Sequence, residues 1–275
     1  MSTITRALST NALAGKEIAF LHGVGRCGRD FQPLLPLATG AANVFCFDHR
    51  GHGDSPRTPG AYLVENYVQD QVAWLKSRPA PVILYGHSLG ALVALGAAAQ
   101  APDKVRGIIL EDPPTHDFLQ QIPGTGYEAT FKAMQSLAGS KKSVEEIALT
   151  FGDTLLPLKN GQTIRLKETR DAPSLRFSVD CLRKVDPEVF TPILELRWLE
   201  GYHYQQYLTA VSCPALVLVG KPEKGSMILP GEDQWFAKHL KYPQIVSVPE
   251  VGHQIHWQAL ATVGSMLSAF ILPLD

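Results

Sequence analysis

The 275-residue chain lacks a charge of either sign to spare: 25 Lys+Arg against 26 Asp+Glu leave a formal charge of −1. It has no run of Lys/Arg, so the concentrated positive patch needed for nucleic acid or an anionic membrane surface is missing. The expected partner is instead a small, largely uncharged molecule. Cysteine is scarce and scattered. Cys27, Cys46, Cys181 and Cys213 form neither a disulfide framework nor a CxxC metal clip, which predicts reduced thiols in a cytoplasmic protein. No stretch approaches the roughly eighteen apolar residues of a membrane span, and the first residues hold no long apolar export segment, so neither is expected. Repeats and low-complexity tracts are also missing, and nothing in the composition bears on oligomeric state.

What is present is an alternation of short apolar runs with helical stretches, which predicts an α/β fold with a mostly parallel central sheet flanked by helices. The runs are Glu17–Leu21, Asn43–Phe47, Pro81–Tyr85, Val105–Leu110, Ala215–Val219 and Gln244–Val248. Tyr62–Lys76 repeats apolar residues at helical spacing. Leu89–Gln100 is rich in small residues and suits a buried helix lying close on the sheet, and Trp257–Phe270 reads as a final amphipathic helix. The rhythm breaks from Pro113 to about Ser212, where no strand is evident. Helical patterns appear there at Glu128–Leu137, Val144–Leu149 and Leu194–Leu208, with many aromatic residues. Linkers are poor in aromatics, so the expected organisation is a core of residues 1–112 and 212–275 interrupted by a helical lid over 113–211.

The chemistry-bearing feature is Gly86-His87-Ser88-Leu89-Gly90, a G-x-S-x-G pattern directly after an apolar strand and directly before the small-residue helix. A sharp strand-to-helix turn needs glycine on both sides of the serine, and it lifts the hydroxyl above the sheet edge as a nucleophile. Chance would supply this motif to such a chain only about 0.1 times, and the flanking elements strengthen it further. A serine hydroxyl needs a base. His253, in Val251-Gly252-His253 between the last strand and the last helix, is the candidate, and His256, already inside that helix, is its local competitor. The N–H of Leu89, just after the nucleophile, and that of Val24, in the glycine-bearing loop after the first strong strand, are candidates for holding an oxyanion. The glycines of that loop match neither a Walker nor a dinucleotide pattern, so no nucleotide cofactor is expected.

These features together resemble the α/β-hydrolase family. The resemblance rests on His22-Gly23 after a strand, Asp48-His49-Arg50-Gly51-His52-Gly53-Asp54-Ser55 after the next, the elbow at Ser88, the inserted block and Gly252-His253. It covers nearly the whole chain except that block. It implies a triad in the order serine, acid, histidine, and it makes the Asp48–Ser55 turn a structural corner rather than a metal site. The first sixteen residues are short for the family's opening hairpin, which implies that one or both leading antiparallel strands are trimmed or absent. For the acid, the family most often uses the loop after the strand that follows the lid, where this chain has Glu223. Some relatives use the end of the strand before the lid, where this chain has Asp112. Asp112 ranks ahead because a short acid at a rigid strand end is easier to position, while Asp233 reads as a charge at a helix start. The implied activity is a serine hydrolase cleaving an ester, lactone or related acyl bond, without cofactor or metal. The alternatives are C–C bond hydrolysis, lyase, haloperoxidase-like or cofactor-free oxygenase chemistry on the same triad, or a low-turnover receptor of the same fold.

Overall fold

The computed structural model describes residues 3–7, 16–38, 43–158 and 160–274. Seven strands, β1 (Thr3–Ala7), β2 (Glu17–Leu21), β3 (Asn43–Asp48), β4 (Val82–His87), β5 (Val105–Glu111), β8 (Ala215–Val219) and β9 (Pro243–Ser247), form one sheet in the order β1-β3-β2-β4-β5-β8-β9. All neighbours are parallel except β1, which pairs antiparallel with β3. One antiparallel leading strand is therefore present, and the rest of the expected opening hairpin falls on residues outside those described.

The inner strands read as unbroken apolar runs because both faces are covered. Along β2, Ile18 and Phe20 join one buried cluster while Ala19 and Leu21 join the other; β4 divides Ile83 and Tyr85 from Val82 and Leu84 in the same way. Helices α1 (Val64–Lys76) and α2 (Leu89–Gln100) cover one face. Ten consecutive residues of α2, Leu89–Ala98, are buried, which accounts for their small size.

Between β5 and β8 the chain leaves the sheet and forms α3 (His116–Gln120), α4 (Gly126–Leu137), α5 (Val144–Gly152), α6 (Ala172–Leu182), α7 (Thr191–Leu194) and α8 (Tyr204–Ala210). It also forms a two-stranded hairpin, β6 (Leu155–Pro157) with β7 (Thr163–Arg165). That hairpin corrects the expectation of a strandless block. Its strands are three residues long and mostly exposed, too short to carry a readable alternation. The helix expected over Leu194–Leu208 is likewise interrupted. Leu196 takes φ 57° and Gly201 φ 75°, Arg197 N–H turns back to Pro192 O, and Trp198 O accepts from Val64 N–H. Trp198, Tyr202 and Tyr204 are buried from a looping chain, so tertiary packing overrides the periodicity.

After β8, α9 (Asp233–His239) begins at Asp233, as its acidic first turn suggested. The last expected helix is split into α10 (Ile255–Gln258) and α11 (Leu260–Ile271), broken where Ala259 leaves helical geometry at φ −132°, ψ 46°. Among the described residues no helix is long and apolar enough to cross a membrane, and all four cysteines are free.

Candidate active site

Ser88 sits between β4 and α2 with φ 55° and ψ −116°, a conformation L-residues rarely adopt. The two glycines of the elbow are there for space: a Cβ on Gly86 would fall 2.1 Å from Gly90 O, and one on Gly90 would fall 1.9 Å from Leu21 O. Ser88 caps α2 without a side-chain cap bond, so its hydroxyl is not consumed by the helix. Its N–H donates to Glu111 O at 3.0 Å, tying the elbow to the end of β5.

Asp112, one residue past β5, is fully buried and also holds a positive φ, 45°. Its Oδ1 accepts from Ser226 Oγ at 2.5 Å and Gly220 N–H at 3.4 Å, and its Oδ2 accepts from Met227 N–H at 2.8 Å. The same Oδ2 lies 2.6 Å from His253 Nδ1. The loop after β8, where an acid was sought at Glu223, thus contributes hydrogen-bond donors to Asp112. Glu223 itself is exposed on a short 3-10 turn and makes no contact with His253. The His253 side chain keeps 19% exposure while its carboxylate partner has none, so the imidazole faces outward from a rigid floor. No hydrogen bond joins Ser88 Oγ to the imidazole here; contacts of this kind commonly tighten only with substrate bound. The two loops are held together by the residue before the serine. His87 Nε2–H donates to His253 O at 2.9 Å, and burial pushes His87 down to about 3, leaving it neutral.

The loop 22–28 lies against Ser88. A Cβ on Gly23 would meet His87 Nδ1 at 2.9 Å and Ser88 Cβ at 3.2 Å, so only glycine allows the backbone this close. The Asp48–Ser55 turn braces it from below. His52 Nε2 accepts from Gly25 N–H at 3.0 Å, Asp48 Oδ1 accepts from Gly28 N–H at 2.7 Å, and His22 Nδ1–H donates to Gly23 O at 2.8 Å while its Nε2 accepts from His49 N–H. Burial lowers His22, His49 and His52 alike, so these rings act as neutral struts. Among the described residues no acceptor takes the N–H of Val24 or of Leu89. Over the loop lie Met134 of α4 and Phe190, which a Cβ on Gly25 would strike at 2.2 and 3.3 Å. Three of the inserted block's aromatics, Trp198, Tyr202 and Tyr204, line a separate cavity of about 320 Å³.

Directly beneath is a second carboxylate–imidazole pair that sequence reasoning did not single out. His256 Nδ1 lies 2.8 and 2.9 Å from the two oxygens of Glu111, which also accepts from His256 N–H at 2.9 Å and Tyr85 Oη at 2.6 Å. Beyond His256 stands Asp30, bound by Nε and Nη2 of Arg26 and by Trp257 Nε1. Burial opposes the charged form of His256, but Glu111 and then Asp30 carry it up to about 9. Burial would likewise raise Glu111, yet His256 and His87 bring it down to about 2. The signal that could have found this pair is a lone glutamate closing the apolar run Ile108–Leu110 of an inner strand. His87, Glu111 and His256 place three possible metal ligands within 4.8 Å of one another. The glutamate is already saturated by protons on His256 and Tyr85, so a cation would have to displace them.

The chain belongs to the alpha/beta hydrolase family, whose model matches residues 18–263. It is 27% identical over 244 residues to a pimeloyl-[acyl-carrier protein] methyl ester esterase of Neisseria meningitidis, covering 87% of each chain. It is also 27% identical over 264 residues to the mouse sn-1-specific diacylglycerol lipase ABHD11, covering 90% of this chain and 80% of that one. Among solved structures it resembles an E-2-(acetamidomethylene)succinate hydrolase with TM-score 0.73, covering 98% of this chain and 94% of that one at 20% identity, which speaks to fold alone. The two sequence relatives support a hydrolase acting on esters.

Proposed function

We propose that the protein is a serine hydrolase that cleaves an ester, lactone or related acyl bond of a small molecule through an acyl-enzyme on Ser88. The observation that carries this reading is the 2.6 Å contact between His253 Nδ1 and Asp112 Oδ2. It supports a tautomer in which Nδ1–H donates to the carboxylate and Nε2 is free to act as the base. In this scheme Ser88 Oγ attacks the carbonyl carbon as His253 Nε2 takes its proton. The resulting oxyanion is held by the N–H groups of Val24 and Leu89, which lack acceptors of their own. The imidazolium, stabilised by Asp112, then protonates the leaving alcohol. A water deprotonated by His253 attacks the acyl carbon, and collapse returns the proton to Ser88. Residues 113–211 serve as the lid over this site, with Met134 and Phe190 above the oxyanion loop.

Steady-state hydrolysis of p-nitrophenyl butyrate tests the reading, together with intact-protein mass measurement. Wild-type protein is expected to turn over many times and to show a transient adduct of one butyryl group. Ser88→Ala is expected to lose about 10³-fold or more in kcat and to form no adduct. At most one slow turnover per molecule would point to a receptor, and full activity in Ser88→Ala would remove the serine from the mechanism.

A further inference from the structure

Arg170 is a guanidinium with nothing to bind. It is half-buried, yet among the described residues no carboxylate lies within 4.0 Å, no acceptor takes a hydrogen bond from it, and no ring lies under it. Arg50 and Arg78, likewise half-buried, and the fully buried Arg26 each meet a carboxylate through two nitrogens. The neighbouring acid does not meet it: Asp171 caps α6, its Oδ1 accepting from Ser174 N–H at 2.7 Å, and forms no ion pair with Arg170.

The place of Arg170 follows from what α6 touches. Ser174 Oγ donates to Gln254 Oε1 at 2.9 Å, next to His253, and Ser178 Oγ accepts from Arg26 Nη1 at 2.6 Å. Phe177 lies beneath the Arg26 guanidinium, and Cys181 Sγ is 3.4 Å from Cys27 Sγ. The helix therefore runs from the histidine loop along the oxyanion loop, and Arg170 enters it at the histidine end. The groups within electrostatic reach agree: Arg26 and Tyr127, the latter being also within reach of Asp112. Burial, and secondarily the positive charge of Arg26, pull Arg170 down to about 10. Asp30 neutralises Arg26, so among the described residues Arg170 is left without a carboxylate of its own. A carboxylate balances it through the planar two-point pairing that guanidinium favours, whereas a dianionic phosphate would leave surplus negative charge near Asp112, Asp30 and Glu111.

We propose that Arg170 anchors a free carboxylate on the substrate, so that the bond presented to Ser88 is the ester of a molecule carrying a second, unesterified carboxyl group. This rests on the Ser88 reading above and corrects the uncharged substrate inferred from net charge, a sum over the whole chain that is blind to one guanidinium.

The test compares p-nitrophenyl hemiglutarate with p-nitrophenyl valerate, which match in chain length and differ in the terminal carboxylate. Wild-type protein is expected to favour the hemiester in kcat/KM by about tenfold or more. That ratio is expected to fall to about one in Arg170→Met and to be kept in part by Arg170→Lys. Should the variants fail to fold, wild-type protein suffices: glutarate is expected to inhibit valerate ester hydrolysis about tenfold more strongly than glutaramide. A ratio near one in wild type, a ratio unchanged in Arg170→Met, or equal inhibition by the two probes overturns the proposal. Each of these outcomes leaves the Ser88 reading standing, since that reading falls only with retained turnover in Ser88→Ala or the absence of turnover on both esters.

Discussion

Glu111 and Asp112 are consecutive, His253 and His256 are three residues apart, and each acid takes one of the imidazoles. The outer pair, Asp112 with His253, has a buried acid and a ring exposed to 19%. The inner pair, Glu111 with His256, has no exposed member, and a second ion pair, Arg26 with Asp30, closes its far side. In the proposed mechanism the same two residue types hold two different jobs. A ring that must take and return a proton needs one face open to a reactant. A ring sealed between two carboxylates is fixed as a cation and serves as an internal strut joining the end of β5, the segment after β2 and α10.

This contrast can be broken from either side. The largest effect is expected in the outer pair, where Asp112→Asn should lower kcat by about 10⁴ while Glu223→Gln changes it by less than about twofold, both read on one p-nitrophenyl ester. The reverse order would move the acid to the loop after β8. In the inner pair Glu111→Gln should destabilise the fold by about 3–5 kcal/mol in urea denaturation, because it leaves a buried imidazolium short of its main counter-charge. An unchanged midpoint would mean that this pair carries no structural charge.

The smallest effect is a pH dependence of stability. His256 is raised to about 9 from 6.5, so its contribution is complete below about pH 6.5 and disappears as pH rises through about 9. Glu111 is lowered to about 2 from 4.5, so its contribution is complete above about pH 4.5 and disappears as pH falls through about 2. The two shifts describe one ion pair, and stability should form a plateau near pH 4.5–6.5. On the alkaline side it should decline by on the order of 2–3 kcal/mol up to pH 9. His256→Gln should flatten that slope; a slope that persists would belong to another group.

Much of the site was legible because its signals are local. The elbow at Ser88 is written in five residues and their flanks, and the His253 loop in the boundary between a strand and a helix. The inserted block was less legible. Helix α6 escaped notice, and its importance here lies in which loops it touches rather than in its own pattern. The stretch from Leu194 to Leu208 looked helical because apolar and aromatic residues recur there, yet Leu196 and Gly201 turn the chain so that Trp198 and Tyr202 reach the core.

By itself the sequence determined the parallel strands and the helices α1 and α2 between them, the serine at its elbow and the late histidine between strand and helix, since each depends on neighbours a few residues away. Which acid meets that histidine was decided only in three dimensions. Asp112 and His253 are 141 residues apart, and Glu111 and His256 are 145 apart. A carboxylate placed by the end of one strand, with donors from the next strand's loop, follows from sheet register and burial, and no stretch of chain encodes that encounter locally.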